Sequence, residues 1–243
     1  MTASYDTIGI DYANLRKPDP RIAAMIERAL GDARTILNVG AGSGSYEPRD
    51  RSVTAVEPSI AMIRQRGPSA APAVQGSAEA LPFEDDSFDA AMAVNTVHHW
   101  SGKAKGFGEM RRVTRGRIVL LTFDPMYRDN WLLDYFPQLA TLDDAQMPKI
   151  EEYEGWLGPV DVTPVPVPRD CVDGFLYAYW RRPRAYLDPE VRNAMSSFHT
   201  IGDASVGLAR LQADLDSGIW AERYNTLLDS DTHDVGYRLV TAR

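Results

Sequence analysis

A short apolar segment running straight into a glycine loop constrains this chain more than any other feature. Thr35-Ile36-Leu37-Asn38-Val39 reads as a buried strand, and Gly40-Ala41-Gly42-Ser43-Gly44 follows it without a break. Small residues at such a point let the backbone turn sharply and approach a ligand closely. The spacing is G-x-G-x-G. A dinucleotide fingerprint is G-x-G-x-x-G, and Ser45 stands where its third glycine belongs. Taken alone, the loop is compatible with a tight turn or with a nucleoside-type ligand.

The segments that follow repeat the pattern of strand, ligand-side punctuation and helix. Val53-Thr54-Ala55-Val56 ends in Glu57-Pro58-Ser59, and Ser59 is placed to cap a helix over Ile60–Arg66. Ala73-Val74-Gln75 ends at Gly76-Ser77-Ala78-Glu79. Phe88–Val94 ends at Asn95-Thr96, a helix is expected around Lys103–Val113, and Arg117–Phe123 ends at Asp124-Pro125. Before the first strand, Ile22, Met25, Ile26, Ala29 and Leu30 share one helical face, stopped by Gly31. Five apolar strands with helical segments between them imply parallel pairing and right-handed crossovers. Ligands then sit beyond the carboxyl ends of the strands, where every glycine or acidic punctuation point falls.

The second half reads differently. Residues 125–157 carry an apolar stripe at helical spacing, and residues 171–182 and 203–228 look helical. Val160–Val167 alternates valine with proline, aspartate or threonine, which suits an edge strand. Val235–Ala242 has the alternation of a closing strand, and these two segments are expected to pair. Aromatic residues concentrate beyond the fifth strand, among them Trp131, Tyr135, Trp156, Tyr177 and Trp180. At helical spacing they read as core, and a cap over the strand ends is also where a substrate pocket belongs.

Composition narrows the function classes. The chain has 243 residues with a net charge of −8, which disfavours long-range attraction to phosphate backbones or anionic lipid. Arg111-Arg112-Val113-Thr114-Arg115 and Arg181-Arg182-Pro183-Arg184 are either local basic patches or salt-bridged helix ends. No apolar run approaches membrane-spanning length, and the opening residues lack the basic-then-apolar pattern of a secretory signal, so cytoplasm is the expected compartment. A lone cysteine, Cys171, excludes an internal disulfide, and no His/Cys/Asp/Glu grouping has metal-ligand spacing.

The acid at the second strand end sharpens the ligand class. A carboxylate at Glu57 can accept both ribose hydroxyl hydrogens of a bound nucleoside. At this point a resemblance takes shape. Asn38-Val39-Gly40-Ala41-Gly42-Ser43-Gly44, Val56-Glu57-Pro58-Ser59, Gly76-Ser77-Ala78-Glu79-Ala80-Leu81-Pro82-Phe83, Ser87-Phe88-Asp89 and His98-His99-Trp100 together resemble the class I S-adenosylmethionine-dependent methyltransferases. Within them the chain is most similar to the type 11 small-molecule group. Cys171-x-Asp173-Gly174-Phe175, Trp180-Arg181-Arg182-Pro183 and Tyr186-Leu187 are similar to a subgroup associated with antibiotic biosynthesis.

The resemblance implies a Rossmann-like α/β sheet of seven strands, the last antiparallel, with helical cap insertions. It divides a single domain into lid helices over 1–30, a cofactor-binding core over 31–124, cap insertions over 125–228 containing the strand 160–167, and a closing strand at 234–242. It implies S-adenosylmethionine as cofactor. Gly40, Ala41, Gly42 and Gly44 would pass its methionine and ribose parts, and Glu57 would hold the ribose. Pro58 would flank the adenine, Ser77 and Ala78 would meet its edge, and Asn95 would lie under the methionyl group. Tyr12 or Arg16, in an N-terminal segment that closes over the cofactor, would reach the methionyl end. Two positions depart from the family: Asn38 replaces an acid that usually opens the loop, and Ser77 replaces an aspartate.

The catalytic candidates are His99 and, failing that, His98. An imidazole after the fourth strand would take a proton from an attacking hydroxyl, amine or acidic carbon. Methyl transfer to a good nucleophile also proceeds by alignment alone, in which case the pair simply packs beside Trp100. Asp124 would bind substrate or cap a turn. The partner expected is a small molecule, apolar or aromatic, with no nucleic acid and no membrane. Two other readings stay open: a methyltransferase-fold protein that binds the cofactor without methyl transfer, and a nicotinamide-dependent oxidoreductase, against which Ser45 argues.

Overall fold

The structure, a computed structural model, describes residues 16–243. The expectations for Tyr12 and for most of the N-terminal segment fall outside these residues. Seven strands form one mixed sheet in the order β3-β2-β1-β4-β5-β7-β6. In chain order they are β1 (Thr35–Val39), β2 (Ser52–Glu57), β3 (Ala73–Gln75), β4 (Phe88–Val94), β5 (Thr114–Phe123), β6 (Val160–Pro168) and β7 (Thr232–Ala242). The first five are parallel. β7 runs antiparallel between β5 and β6. The expected pairing of the 160–167 segment with the closing strand is therefore present. β6 is the edge, and Pro164, Pro166 and Pro168 are tolerated there because an edge strand has one side without ladder partners.

The strands feed two apolar cores, one on each face, through the two-residue alternation of a pleated sheet. Ile36, Ala90, Met92, Val119 and Leu121 point to one face, where helix α1 (Pro20–Leu30) buries Ile22, Ile26 and Leu30. Burying each such side chain contributes roughly 1.5–3 kcal/mol. Leu37, Val39, Ala91, Ile118 and Leu120 point to the other, covered by α3 (Lys103–Val113) and α6 (Ile150–Leu157). The short α2 (Ile60–Arg64) starts where Ser59 accepts the Met62 N–H. α4 (Leu132–Tyr135), α5 (Gln138–Gln146) and the helices between Pro189 and Leu228 build the cap on the α1 face.

One expectation about helices needs correction. Residues 171–182 form successive turns instead of a helix. Phe175, Leu176, Tyr177, Ala178, Tyr179 and Trp180 are all buried, and a helix would spread six consecutive residues around its whole circumference. Turns let each ring find its own recess; the Trp180 Nε1–H, for example, donates to the Val167 carbonyl. The stretch 203–228 is helical as expected, in three pieces, Ser205–Ser217, Ile219–Arg223 and Asn225–Leu228, with the first break at left-handed Gly218. The arginine runs are consumed by structure. Arg112 pairs with Glu109 and Asp85, Arg115 with Asp89, and Arg184 with Asp216. Among the described residues no helix is long and apolar enough to cross a membrane.

Candidate active site

The strand order reverses at β1, which is flanked by β2 and β4, so a crevice opens at their carboxyl ends. A cleft of about 400 Å³ occupies it, within the range of small-molecule and cofactor sites. The glycine loop is held against β2 by the Gly40 and Ala41 N–H groups, both donating to the Val56 carbonyl. Gly40 has φ +69°, and a Cβ there would lie 2.1 Å from Thr96 Oγ1. Only glycine satisfies both the left-handed backbone and this close passage of the loop past the β4 end.

Glu57 is buried at the base of the cleft. Its Oε2 accepts the Gly42 N–H at 2.8 Å and its Oε1 the Ser59 N–H at 2.9 Å. The carboxylate thus holds the glycine loop and the start of α2 together at the wall of the cleft. Asn38, 1% exposed, donates through Nδ2 to Glu47 Oε1 at 3.1 Å. Glu47 also pairs with Arg66 at 2.6 Å. An acid at 38 would set two carboxylates against each other here, so the amide fits the local charge pattern.

Two buried amide atoms in the cleft wall have no partner among the described residues: the acceptor Asn38 Oδ1 and the donor Asn95 Nδ2. Each would cost about 1–3 kcal/mol if left unbonded. Asn95 itself has φ +50°, an uncommon conformation that aims the chain away from β4. An acceptor on one wall and a donor on another match the ammonium and carboxylate of an amino-acid moiety. Glu79 lies beside Ser77. Burial pushes its carboxyl up, but hydrogen bonds from the Gly102 N–H and from the Ser101 and Ser77 hydroxyls outweigh this and hold it below its usual range.

Of the residues expected to meet the cofactor, Arg16, Gly40, Ala41, Gly42, Glu57, Pro58, Ser77, Ala78 and Asn95 line this one cleft, together with His99. Gly44 and His98 do not. Gly44 faces a neighbouring depression, because the loop has already turned outward there. His98 lines a different cavity, although its ring lies 3.8 Å, centroid to centroid, from that of His99, so the two imidazoles form part of the partition between cleft and cavity. The Arg16 Nε donates to Asp173 Oδ1 at 2.7 Å. Tyr46, whose hydroxyl donates to Asp173 Oδ2 at 2.8 Å, also lines the cleft. Tyr46, Met62, Glu79, Thr96 and Trp100 were not anticipated as lining residues. Glu79 belongs to the Gly76–Phe83 motif, which carries a signal for it; Tyr46, just past the loop, carries none of its own.

The histidines are electrically quiet. His99 is exposed to the cleft yet crowded by protein, and burial together with Lys103 brings its pKa down to about 4. For His98, burial, then His99, Lys103 and Arg16, hold the imidazole well below its ordinary range. Both rings are neutral at physiological pH. Asp124 accepts the Met126 N–H and pairs loosely with Arg238, so it caps a turn. Burial raises the Cys171 thiol to about 12, which leaves it unreactive. Among the described residues no group of His, Cys, Asp and Glu could hold a metal ion.

Fold and cleft together define an enzyme class that binds an adenosyl cofactor at a parallel-sheet crevice. Residues 37–120 match the Methyltransferase domain family. A crystal structure from Anabaena variabilis, assigned as a methyltransferase from an antibiotic biosynthesis pathway, superposes with TM-score 0.86 at 36% identity. The match covers 94% of this chain and 99% of that one. The rice chloroplastic 2-methyl-6-phytyl-1,4-hydroquinone methyltransferase 2 is 32% identical over 83 residues, 34% of this chain and 23% of the relative. The Arabidopsis thaliana enzyme of the same name is 29% identical over 170 residues, 63% and 48% of the two chains. These matches span less than half the length of the two plant relatives. The chain belongs to the class I S-adenosylmethionine-dependent methyltransferases, and S-adenosylmethionine is its cofactor.

Proposed function

We propose that the chain transfers a methyl group from S-adenosylmethionine to a small apolar or aromatic acceptor. The relatives' hydroquinone chemistry and the aromatic cap support that substrate class, and a cytoplasmic setting belongs to the same reading. When bound, the cofactor supplies an electrophilic methyl carbon. Glu57 holds the ribose hydroxyls through its carboxylate, while its bonds to Gly42 and Ser59 keep loop and helix in place. Pro58, Ser77 and Ala78 border the adenine, with Glu79 beside them. Gly40, Ala41 and Gly42 admit the backbone-hugging part of the ligand. Asn38 Oδ1 accepts from the methionyl ammonium, and Asn95 Nδ2 donates to its carboxylate.

His99 lines the cofactor cleft as a neutral hydrogen-bonding group that holds the cofactor's reacting end in line with the acceptor. A ring with a pKa about 4 is a weak base, so alignment is its main contribution. Residues 31–124 form the cofactor core, 125–228 the cap and 234–242 the closing strand.

The observation that carries this reading is Glu57, buried at the β2 end with both oxygens fixed by backbone donors. Calorimetry with S-adenosylhomocysteine tests it. Glu57→Ala removes charge-assisted hydrogen bonds worth about 1.5–3 kcal/mol each, so the complex should weaken at least tenfold. Unchanged affinity would place the nucleoside elsewhere.

A further inference from the structure

A second cavity, of about 60 Å³, shares Asn95 and Arg16 with the cofactor cleft but none of its glycine loop. By volume it has room for roughly four or five waters, the scale of one small ring and not of a fused system. Its walls come from elements far apart in sequence. Asn95 and His98 follow β4, Asp143 lies on α5, Phe175 and Tyr177 sit in the turns after β6, and Tyr237 belongs to β7.

The aromatic walls are locked. Phe175 and Tyr237 have ring centroids 4.5 Å apart, Tyr177 stacks on Phe123 at 5.0 Å, and Phe123 meets Tyr237 edge-on at 5.6 Å. All four rings are buried, so these walls stay put as a ligand enters. A flat apolar ligand would find faces and edges to pack against.

Asp143 breaks the apolar lining. It is 4% exposed, and its Oδ2 accepts the Tyr177 hydroxyl at 2.9 Å. It makes no ion pair among the described residues. A buried carboxylate without a cation is costly to keep, and an apolar residue of similar size would serve the fold better. Asn95 lines both cavities, and its buried Nδ2 has no partner among the described residues; with one N–H given to the methionyl carboxylate, the amide still has a second to offer. Arg16 on the wall is already paired with Asp173, so the polar character of the lining comes from one acceptor, Asp143, and one donor, Asn95; a hydroxyl, which both donates and accepts, suits them, whereas an ammonium has nothing to accept with and a carboxylate meets Asp143.

We propose that this second cavity is the methyl-acceptor pocket, that it takes a neutral single-ring hydroxy-arene, and that Asp143 receives the hydroxyl proton. The inference rests on methyl transfer in the adjoining cleft. Asp143 takes the proton as the O–H bond breaks, and the freed electron pair on oxygen forms the new O–C bond to the methyl carbon. The carbon–sulfur bond breaks at the same time, and its electrons remain on sulfur as a neutral thioether. Burial sets Asp143 at a pKa of about 6, raised further by Asp144 and opposed by the Tyr177 hydrogen bond and by Arg128. His98, Tyr237 and Arg16 are the other ionisable groups on the cavity wall. A base poised there is largely ionised at neutral pH while remaining a better proton acceptor than a surface carboxylate.

The test uses the full chain saturated with S-adenosylhomocysteine and three single-ring probes of different charge, phenol, benzylamine and benzoate, with toluene and ethylbenzene as neutral controls for size. Binding is read by ligand-observed NMR, and the Asp143 carboxyl by carbon-13 chemical shift. Phenol should bind saturably and shift the Asp143 titration, and benzylamine and benzoate should not bind. Asp143→Asn keeps the shape and the Tyr177 hydrogen bond, so it should weaken phenol at least tenfold with S-adenosylhomocysteine affinity unchanged. Equal phenol binding by wild type and variant, preference for benzylamine or benzoate, or no saturable phenol binding would each overturn the proposal. If S-adenosylhomocysteine binds and phenol does not, the acceptor assignment fails alone. If S-adenosylhomocysteine does not bind, the cofactor reading fails first.

Discussion

Asp173 is the residue through which the substitution Asp173→Asn should loosen the cofactor cleft from outside it. The carboxylate is 1% exposed and has a different partner on each oxygen: Arg16 Nε at 2.7 Å and the Tyr46 hydroxyl at 2.8 Å. Arg16 is itself mostly buried, with 13% of its side chain exposed. The Tyr46 oxygen also accepts the backbone N–H of Asp19, the N-cap of α1. One side chain thus ties the 171–173 turn to residue 16, to the end of the glycine loop and to the start of α1. Removing one partner of a buried pair costs about 3–5 kcal/mol because the other charge is left uncompensated. Asparagine keeps one acceptor oxygen, so the loss should fall near the lower end, about 2–3 kcal/mol. For a chain of this size 1 kcal/mol moves the Tm by roughly 2–4 °C, so scanning calorimetry should show a drop of about 4–12 °C. S-adenosylhomocysteine affinity should fall with it, since Arg16 and Tyr46 both line the cleft. A double-mutant cycle with Arg16→Met should show coupling. A Tm shift under about 2 °C, with additive single effects, would refute the idea that Asp173 holds this junction.

Three other outcomes are expected. Gly40→Ala places a Cβ 2.1 Å from Thr96 Oγ1 at φ +69°, so it should cost about 1–3 kcal/mol in overpacking and abolish measurable cofactor binding; near-normal calorimetry would show that the loop has room to shift. Asp143 has its folded pKa raised to about 6, so its contribution to stability is full below the unfolded value near 4 and is lost as pH rises through 6. Asp143→Asn should therefore match wild type at pH 4 in thermal unfolding and exceed it at pH 8 by up to about 3 kcal/mol; equal stability at both pH values would mean the carboxylate is well solvated. His99→Ala should lower kcat about tenfold by loss of alignment, and because the ring ionises near 4, neither wild type nor variant should show a rate limb assignable to it between pH 6 and 9. A limb near 6.5 that disappears with His99 would restore it as general base.

The cofactor half of the molecule was legible because its signals are local. β1, β3, β4 and α3 begin and end where the residue pattern places them. The glycine loop and Glu57 announce a crevice because small residues and an acid at consecutive strand ends have few other uses. The pairing of β6 with β7 is legible in the sequence too, since a proline-rich extended segment suits an edge and Val235–Ala242 is the one other strand pattern beyond β5. The helix expected over 171–182 failed for a physical reason. Continuous burial carries no 3.6-residue periodicity, so composition and length were the only guides, and the rings decided the backbone.

Asp143 shows where local reasoning stops. It stands next to Asp144 on α5, and nothing in the sequence separates the two. In the structure Asp144 is exposed and pairs with Arg128, while Asp143 is buried against Tyr177. What distinguishes them is a turn more than thirty residues later and a wall contributed by β7, neither of which leaves a mark on residues 138–146. The side of the site facing the cofactor is built from motifs at strand ends and can be read in order along the chain. The side facing the acceptor is assembled from the cap, the turns and the last strand. Related chains that keep the first and vary the second would then share a cofactor and differ in acceptor, and the residue at position 143 is where that difference should show in which hydroxy-arenes bind.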